Sequence, residues 1–259
     1  MSKKNRSIIP DTSPKIIQRE SLNEDLHIRQ FQWTENQKKI VECVLSKDSK
    51  IVFIEGPSGS GKSLLSTYCA LNLLNSGKSK ELIFIRSPLE SSDSAGMGYV
   101  PGKISEKFEP YKMVLDEKLK ELLKESEINK LWADSRIVPT PLNYIRGLSF
   151  NVKFILAEEC NNFTLSEFKL LLTRYGQFSK LLIIGDFFQT DLPKNKQGAF
   201  KKVFGWFNNQ ESKDKGIHCF NLEKQDILRS NVTAYIIEKF EEAAKPIETN
   251  SEMFPLTKL

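Results

Sequence analysis

Short apolar runs alternate with longer amphipathic stretches along this 259-residue chain. Ile51–Ile54, Glu81–Ile85, Phe154–Ala157 and Leu181–Ile184 are dominated by isoleucine, leucine and phenylalanine and are too short for buried helices. Such runs predict strands covered on both faces, as in a parallel sheet. Shorter runs at Arg136–Val138 and Ile217–Phe220 predict two more strands. The segments between them carry the helical period. Thr34 and Gln37 spell a capping box before Ile40, Val41 and Val44, and Thr164 and Glu167 spell another before Phe168, Leu171 and Leu172. Further helices are predicted over Leu64–Leu74, Lys112–Glu125, Ala199–Phe207 and Val232–Ala244, with a helical turn at Pro141–Ile145. Residues 89–110 hold Gly96, Gly98, Pro101, Gly102 and Pro110, which predicts a long loop. The whole reads as one α/β domain over residues 31–245, a mostly parallel sheet sandwiched by helices. Residues 1–30 read as a flexible basic arm and 246–259 as a frayed tail.

The first strand ends on a particular spelling: Gly56, Pro57, Ser58, Gly59, Ser60, Gly61, Lys62, Ser63. This is G-x-x-x-x-G-K-S between a strand and a helix. Glycines let backbone N–H groups curl around an anion, and the helix N-terminus adds partial positive charge. In such a loop Lys62 reaches the β- and γ-phosphates and the Ser63 hydroxyl ligates Mg²⁺. A nucleoside-triphosphate site is therefore expected. Two later strands also end on acids. Glu158 and Glu159 suit a metal-side carboxylate and a general base for the attacking water, and Gly185-Asp186-Phe-Phe-Gln189 would set an amide near the γ-phosphate.

Composition narrows the setting. A net charge of +5 permits an anionic partner without demanding one. Cys43, Cys69, Cys160 and Cys219 form no zinc spacing, so reduced, packed thiols in a cytoplasmic protein are expected. No apolar run approaches the roughly 20 residues of a membrane span, and the basic N-terminus lacks the apolar core of a signal peptide. Arg146, Lys194, Lys196, Lys201 and Lys202 are candidates for a phosphate-backbone track, or simply solvated surface.

The order of these segments resembles the PhoH family, phosphate-loop ATPases with a single RecA-like core akin to superfamily-1 helicases. The likeness runs from about Gln37 to Phe240 and rests on several segments besides the phosphate loop. They are Arg86-Ser-Pro-Leu-Glu90, Gly98-Tyr-Val-Pro-Gly102, Pro141 to Gly147, the acid pair, Leu172-Thr-Arg174, Gly185 to Pro193 and Asp226-Ile-Leu-Arg229. The resemblance implies Mg²⁺-dependent ATP hydrolysis coupled to RNA or another single-stranded nucleic acid. It implies Gln37 as an adenine contact beside its capping role, and Arg229 as an arginine finger on the γ-phosphate. Glu158 departs from it, because the family writes Asp there. A nucleotide-gated binder with little turnover is thus an alternative, and a phosphate-loop kinase is another. With one such domain in the chain, a homo-oligomer, in ring form for instance, is expected to complete the site.

Overall fold

The computed structural model describes residues 25–86, 104–189 and 198–227, together with Tyr235 and Lys239. The helix expected at Val232–Ala244, the tail, Arg229, Lys194, Lys196 and most of the expected loop and arm lie outside the described residues.

The chain runs α1 (Glu35–Leu45), β1 (Ile51–Glu55), α2 (Lys62–Asn75), β2 (Glu81–Arg86), α3 (Ile104–Leu122), α4 (Glu125–Ala133) and β3 (Ile137–Pro141). It continues through β4 (Lys153–Glu158), α5 (Leu165–Leu172), β5 (Lys180–Gly185), α6 (Phe200–Phe207), α7 (Gln210–Asp214) and β6 (Ile217–Asn221). Single 3₁₀ turns occur at Leu142–Ile145, Cys160–Asn162 and Lys224–Asp226. The strands form one six-stranded sheet in the order β3-β2-β4-β5-β1-β6, and every pairing is parallel. All six strands expected from the apolar runs are present. The edge strand β3 carries Pro139 and Pro141, where a missing ladder donor is tolerated.

Alternation along each strand divides the core into two layers. Val52, Ile54, Leu82, Phe84, Phe154, Leu156, Leu182 and Ile184 pack under α1, α2, α3 and α4. Ile51, Phe53, Ile83, Ile85, Ile155, Ala157, Leu181 and Ile183 face the opposite way, under α5 and α6. The second layer is largely aromatic: Phe163 and Phe168 meet at 5.5 Å between ring centroids, and Phe207 stacks on Phe53 at 5.6 Å. Fully burying side chains of this size contributes about 1.5–3 kcal/mol each, so the sheet is held from both sides.

The helices follow their caps. Thr34 and Thr164 close the two expected capping boxes at the starts of α1 and α5. Two expectations fail in the third helical region. α3 begins at Ile104, inside the stretch read as loop, and carries Pro110 in its second turn. It also stops early, because Lys124 is extended and Glu127 turns back to accept its N–H at 3.0 Å, opening α4. Lysine is a poor cap by type, which hid this start. Order also begins before Phe31. The Leu26 N–H donates to Asn75 Oδ1 at 2.7 Å and the Arg29 N–H to the Leu122 carbonyl at 2.9 Å. All four cysteines are free thiols. No helix among the described residues is long and apolar enough to cross a membrane.

Candidate functional site

Because every strand is parallel, all six carboxyl ends lie at one edge of the sheet, where α/β folds place ligands. Register brings Glu55 beside Gly185 and Arg86 beside Glu158. The phosphate loop leaves β1 at that edge. Gly59 (φ 86°) and Gly61 (φ 80°) take left-handed conformations that a side chain would strain. Gly56 is required by crowding, since a Cβ there would lie 2.8 Å from that of Leu222. Ser60 Oγ donates to the Pro57 carbonyl at 2.8 Å and holds the curl.

α2 starts at Gly61 with no side-chain cap and no acid in its first turn. Its N-terminal dipole and first N–H groups are left for a ligand, which favours an anion. Gly61, Lys62, Ser63 and Leu64 line a cleft of about 340 Å³. Lys62 Nζ donates to the carbonyls of Gly56 (2.5 Å) and Pro57 (2.9 Å). Burial pushes its pKa down, against the pull of Asp186, Glu159, Glu55 and Glu158.

The facing wall comes from β4 and β5. Glu158 is buried at the end of β4, and burial raises its pKa despite a hydrogen bond from the Ser63 side chain and the nearby Arg86. A serine hydroxyl and a buried carboxylate in contact are the donor set that a small, hard cation takes alongside phosphate oxygens. Their fit to Mg²⁺ is therefore chemical as well as positional. Glu159 follows at φ 54°, ψ 38°, a left-handed conformation that turns its carboxylate out of line with the strand. Its Oε1 accepts from Arg86 Nη2 at 3.1 Å. Asp186 is buried, and its Oδ1 accepts the Phe188 N–H at 2.8 Å to close the Gly185–Gln189 turn. Gln189 is exposed on the cleft rim.

The structure thus gathers Ser58, Gly59, Gly61, Lys62, Ser63, Glu158, Glu159 and Gln189 around one cleft. Gln37 is different. It is fully buried, and its Nε2 donates to the Ser60 carbonyl (3.0 Å) and the Asp226 carbonyl (3.2 Å). Its Oε1 accepts the Thr34 N–H at 3.0 Å. These bonds engage both ends of the amide in fixing the phosphate loop, and Gln37 is not among the residues that line the cleft. Lys118 and Glu121 of α3 and Asn161 also line the cleft and were not expected there, while Glu55 lies buried at the end of β1, its pKa raised by burial and by Asp186. Glu55 and Arg86 carried a readable signal, a charge closing an apolar strand. Lys118 and Glu121 carried none: they pair at 2.9 Å on the polar face of an ordinary amphipathic helix.

A family model described as PhoH: PhoH-like protein matches residues 31–241. The chain belongs to the PhoH family. The PhoH-like protein of Bacillus subtilis (strain 168) is 31% identical over 208 residues, covering 80% of this chain and 63% of its own length. Protein PhoH of Escherichia coli (strain K12) is 28% identical over 198 residues, covering 76% and 54%. The chain therefore spans between about half and two thirds of the length of these relatives. Among solved structures, the Pyrococcus furiosus Hef helicase domain is similar over 74% of this chain and 38% of that one, with 16% identity and a TM-score of 0.42. The parallel sheet and the glycine-rich loop after β1 agree with the family assignment.

Proposed function

We propose that this PhoH-family chain binds ATP with Mg²⁺ and hydrolyses it, and that turnover is coupled to RNA or another single-stranded nucleic acid. The observation that carries the reading is the convergence of an uncapped α2 N-terminus, Lys62, Ser63 and two adjacent glutamates on one cleft. In this reading the N–H groups of Gly59 to Ser63 and the Lys62 ammonium hold the phosphate chain. Lys62 leaves the Gly56 and Pro57 carbonyls to do so. Ser63 and Glu158 would hold Mg²⁺, which would supply positive charge against the phosphates. Glu159 accepts a proton from the attacking water, and Arg86 fixes where that carboxylate points. Gln189 reaches the γ-phosphate from the rim, and Gln37 shapes the loop from behind.

Three extensions belong to the same reading. Arg229 acts as the finger and comes from a neighbouring copy in a homo-oligomer, a role that rests on the resemblance of Asp226-Ile-Leu-Arg229. The nucleic-acid strand runs past α6. Support there comes from exposed Trp206 with Lys202 over its ring, from Lys201 over the partly buried Phe187 ring, and from exposed Phe188, aromatic faces and cations of the kind that bind bases and phosphates. The protein works in the cytoplasm.

A second reading has its own observation. Glu158 already engages Ser63, and Glu159 is paired with Arg86, so a nucleotide-gated binder with slow turnover is the rival. Phosphate release with and without RNA, single-stranded DNA and duplex separates the two. The ATPase reading expects Mg²⁺-dependent release that a single strand accelerates. Tight ATP binding with no release under any of these conditions supports the binder.

A further inference from the structure

Asn161 sits in the 3₁₀ turn Cys160–Asn162, two residues beyond Glu159, and only 5% of it is exposed. Its Nδ2 and Oδ1 are buried, and neither has a hydrogen-bond partner among the described residues. It lines the cleft with Glu159, Gly185, Asp186 and Gln189. A carboxamide carries two donors and one acceptor, and a folded chain rarely leaves both ends of one unmet in its interior. Glu159 hydrogen-bonds Arg86, and Asp186 caps its own turn, so the surrounding acids are engaged elsewhere.

The position is built tightly. A Cβ on Gly185 would lie 3.1 Å from the Asn161 backbone N and 2.8 Å from the Phe200 ring. The amide is held on the β4–β5 wall beside the base, whereas the loop and α2 form the other wall.

We propose that Asn161 recognises the terminal phosphate of a nucleoside triphosphate. Nδ2 donates to a γ-phosphoryl oxygen, and Oδ1 accepts from the water that Glu159 activates. A diphosphate does not extend far enough to engage it. Asn161 therefore discriminates triphosphate from diphosphate from inside the cleft, whereas Gln189 stands on the rim. This inference rests on the cleft being an ATP site.

The test is equilibrium binding, in Mg²⁺, of ADP and of the non-hydrolysable β,γ-imido analogue of ATP to the full chain and to two variants. Asn161→Ala should weaken the triphosphate analogue about ten- to a hundredfold, as expected for losing a hydrogen bond to a charged group, and leave ADP within about twofold. Asn161→Asp keeps the shape, removes the donor and adds a negative charge, so it should lose more of the triphosphate affinity than alanine does. Should the alanine variant fail to fold, the aspartate variant carries the test alone. Equal losses for both nucleotides, or none for either, would overturn the assignment. A parent chain that binds the analogue and ADP normally while both variants match it sinks this inference alone. A parent that binds neither nucleotide sinks the ATP reading and this inference with it.

Discussion

Arg86 Nη2 lies 3.1 Å from Glu159 Oε1, joining the ends of two neighbouring strands, β2 and β4. The pair is unequal. The arginine side chain is 14% exposed and the glutamate 40%, so a fixed cation steers a freer carboxylate. Removing the cation should cost little stability, since partly exposed pairs contribute about 0–1 kcal/mol. Its effect should fall on chemistry. Arg86→Ala is expected to lower kcat for ATP hydrolysis about ten- to a hundredfold with a small change in KM, because misplacing a reacting group by an ångström costs on that order. Arg86→Lys, which keeps the charge but not the fork, should recover part of the loss. Steady-state kinetics on the three proteins decide it, and an unchanged kcat in Arg86→Ala would remove Arg86 from the mechanism.

Gln37 yields a prediction that separates two roles. As a buttress of the phosphate loop it makes three hydrogen bonds from a fully buried position. Each lost bond costs about 1 kcal/mol, so Gln37→Ala should destabilise the fold by about 2–3 kcal/mol. ATP and GTP affinity should fall together. A variant of normal stability that loses only its preference for ATP would support the adenine-contact role instead. Thermal melting beside ATP and GTP titrations reads both.

Two glycines make a matched pair. A methyl group on Gly185 meets the Phe200 ring at 2.8 Å, whereas one on Gly205, within α6, meets nothing within 4 Å. Gly185→Ala should therefore cost about 1–3 kcal/mol by overpacking. Gly205→Ala should gain about 0.5–1 kcal/mol, because alanine suits a helix interior better. Urea unfolding of both variants measures the contrast, and equal effects would show that α6 is free to shift.

Glu158 stands where the resemblance in sequence implies aspartate, and its carboxylate hydrogen-bonds Ser63. Glu158→Asp should change hydrolysis by no more than about tenfold, or about 1.4 kcal/mol of barrier. A thousandfold gain over a barely active parent would favour the gated binder instead.

The sheet was legible because both faces of each strand are apolar, which leaves a continuous run such as Leu181–Ile184 that no helix of that length produces. The phosphate loop was legible because left-handed turns at Gly59 and Gly61, and the close approach of Leu222 to Gly56, admit only glycine. What the sequence hid is long-range. Nothing local in Gln37 says whether its amide faces a base or the Ser60 carbonyl 23 residues away. The α3–α4 break rests on a lysine cap that propensity argues against. Nothing local in Asn161 says that its carboxamide is buried.

If this cleft hydrolyses ATP with Glu159 as the base, phosphate release by the parent and by Glu159→Gln must differ. Bound ATP and Mg²⁺ should be verified in both proteins. The parent should release phosphate in a Mg²⁺-dependent way, and the variant should retain ATP while slowing about 10²- to 10⁴-fold, the usual contribution of general-base assistance. Undiminished release by Glu159→Gln, with its nucleotide bound, would contradict it.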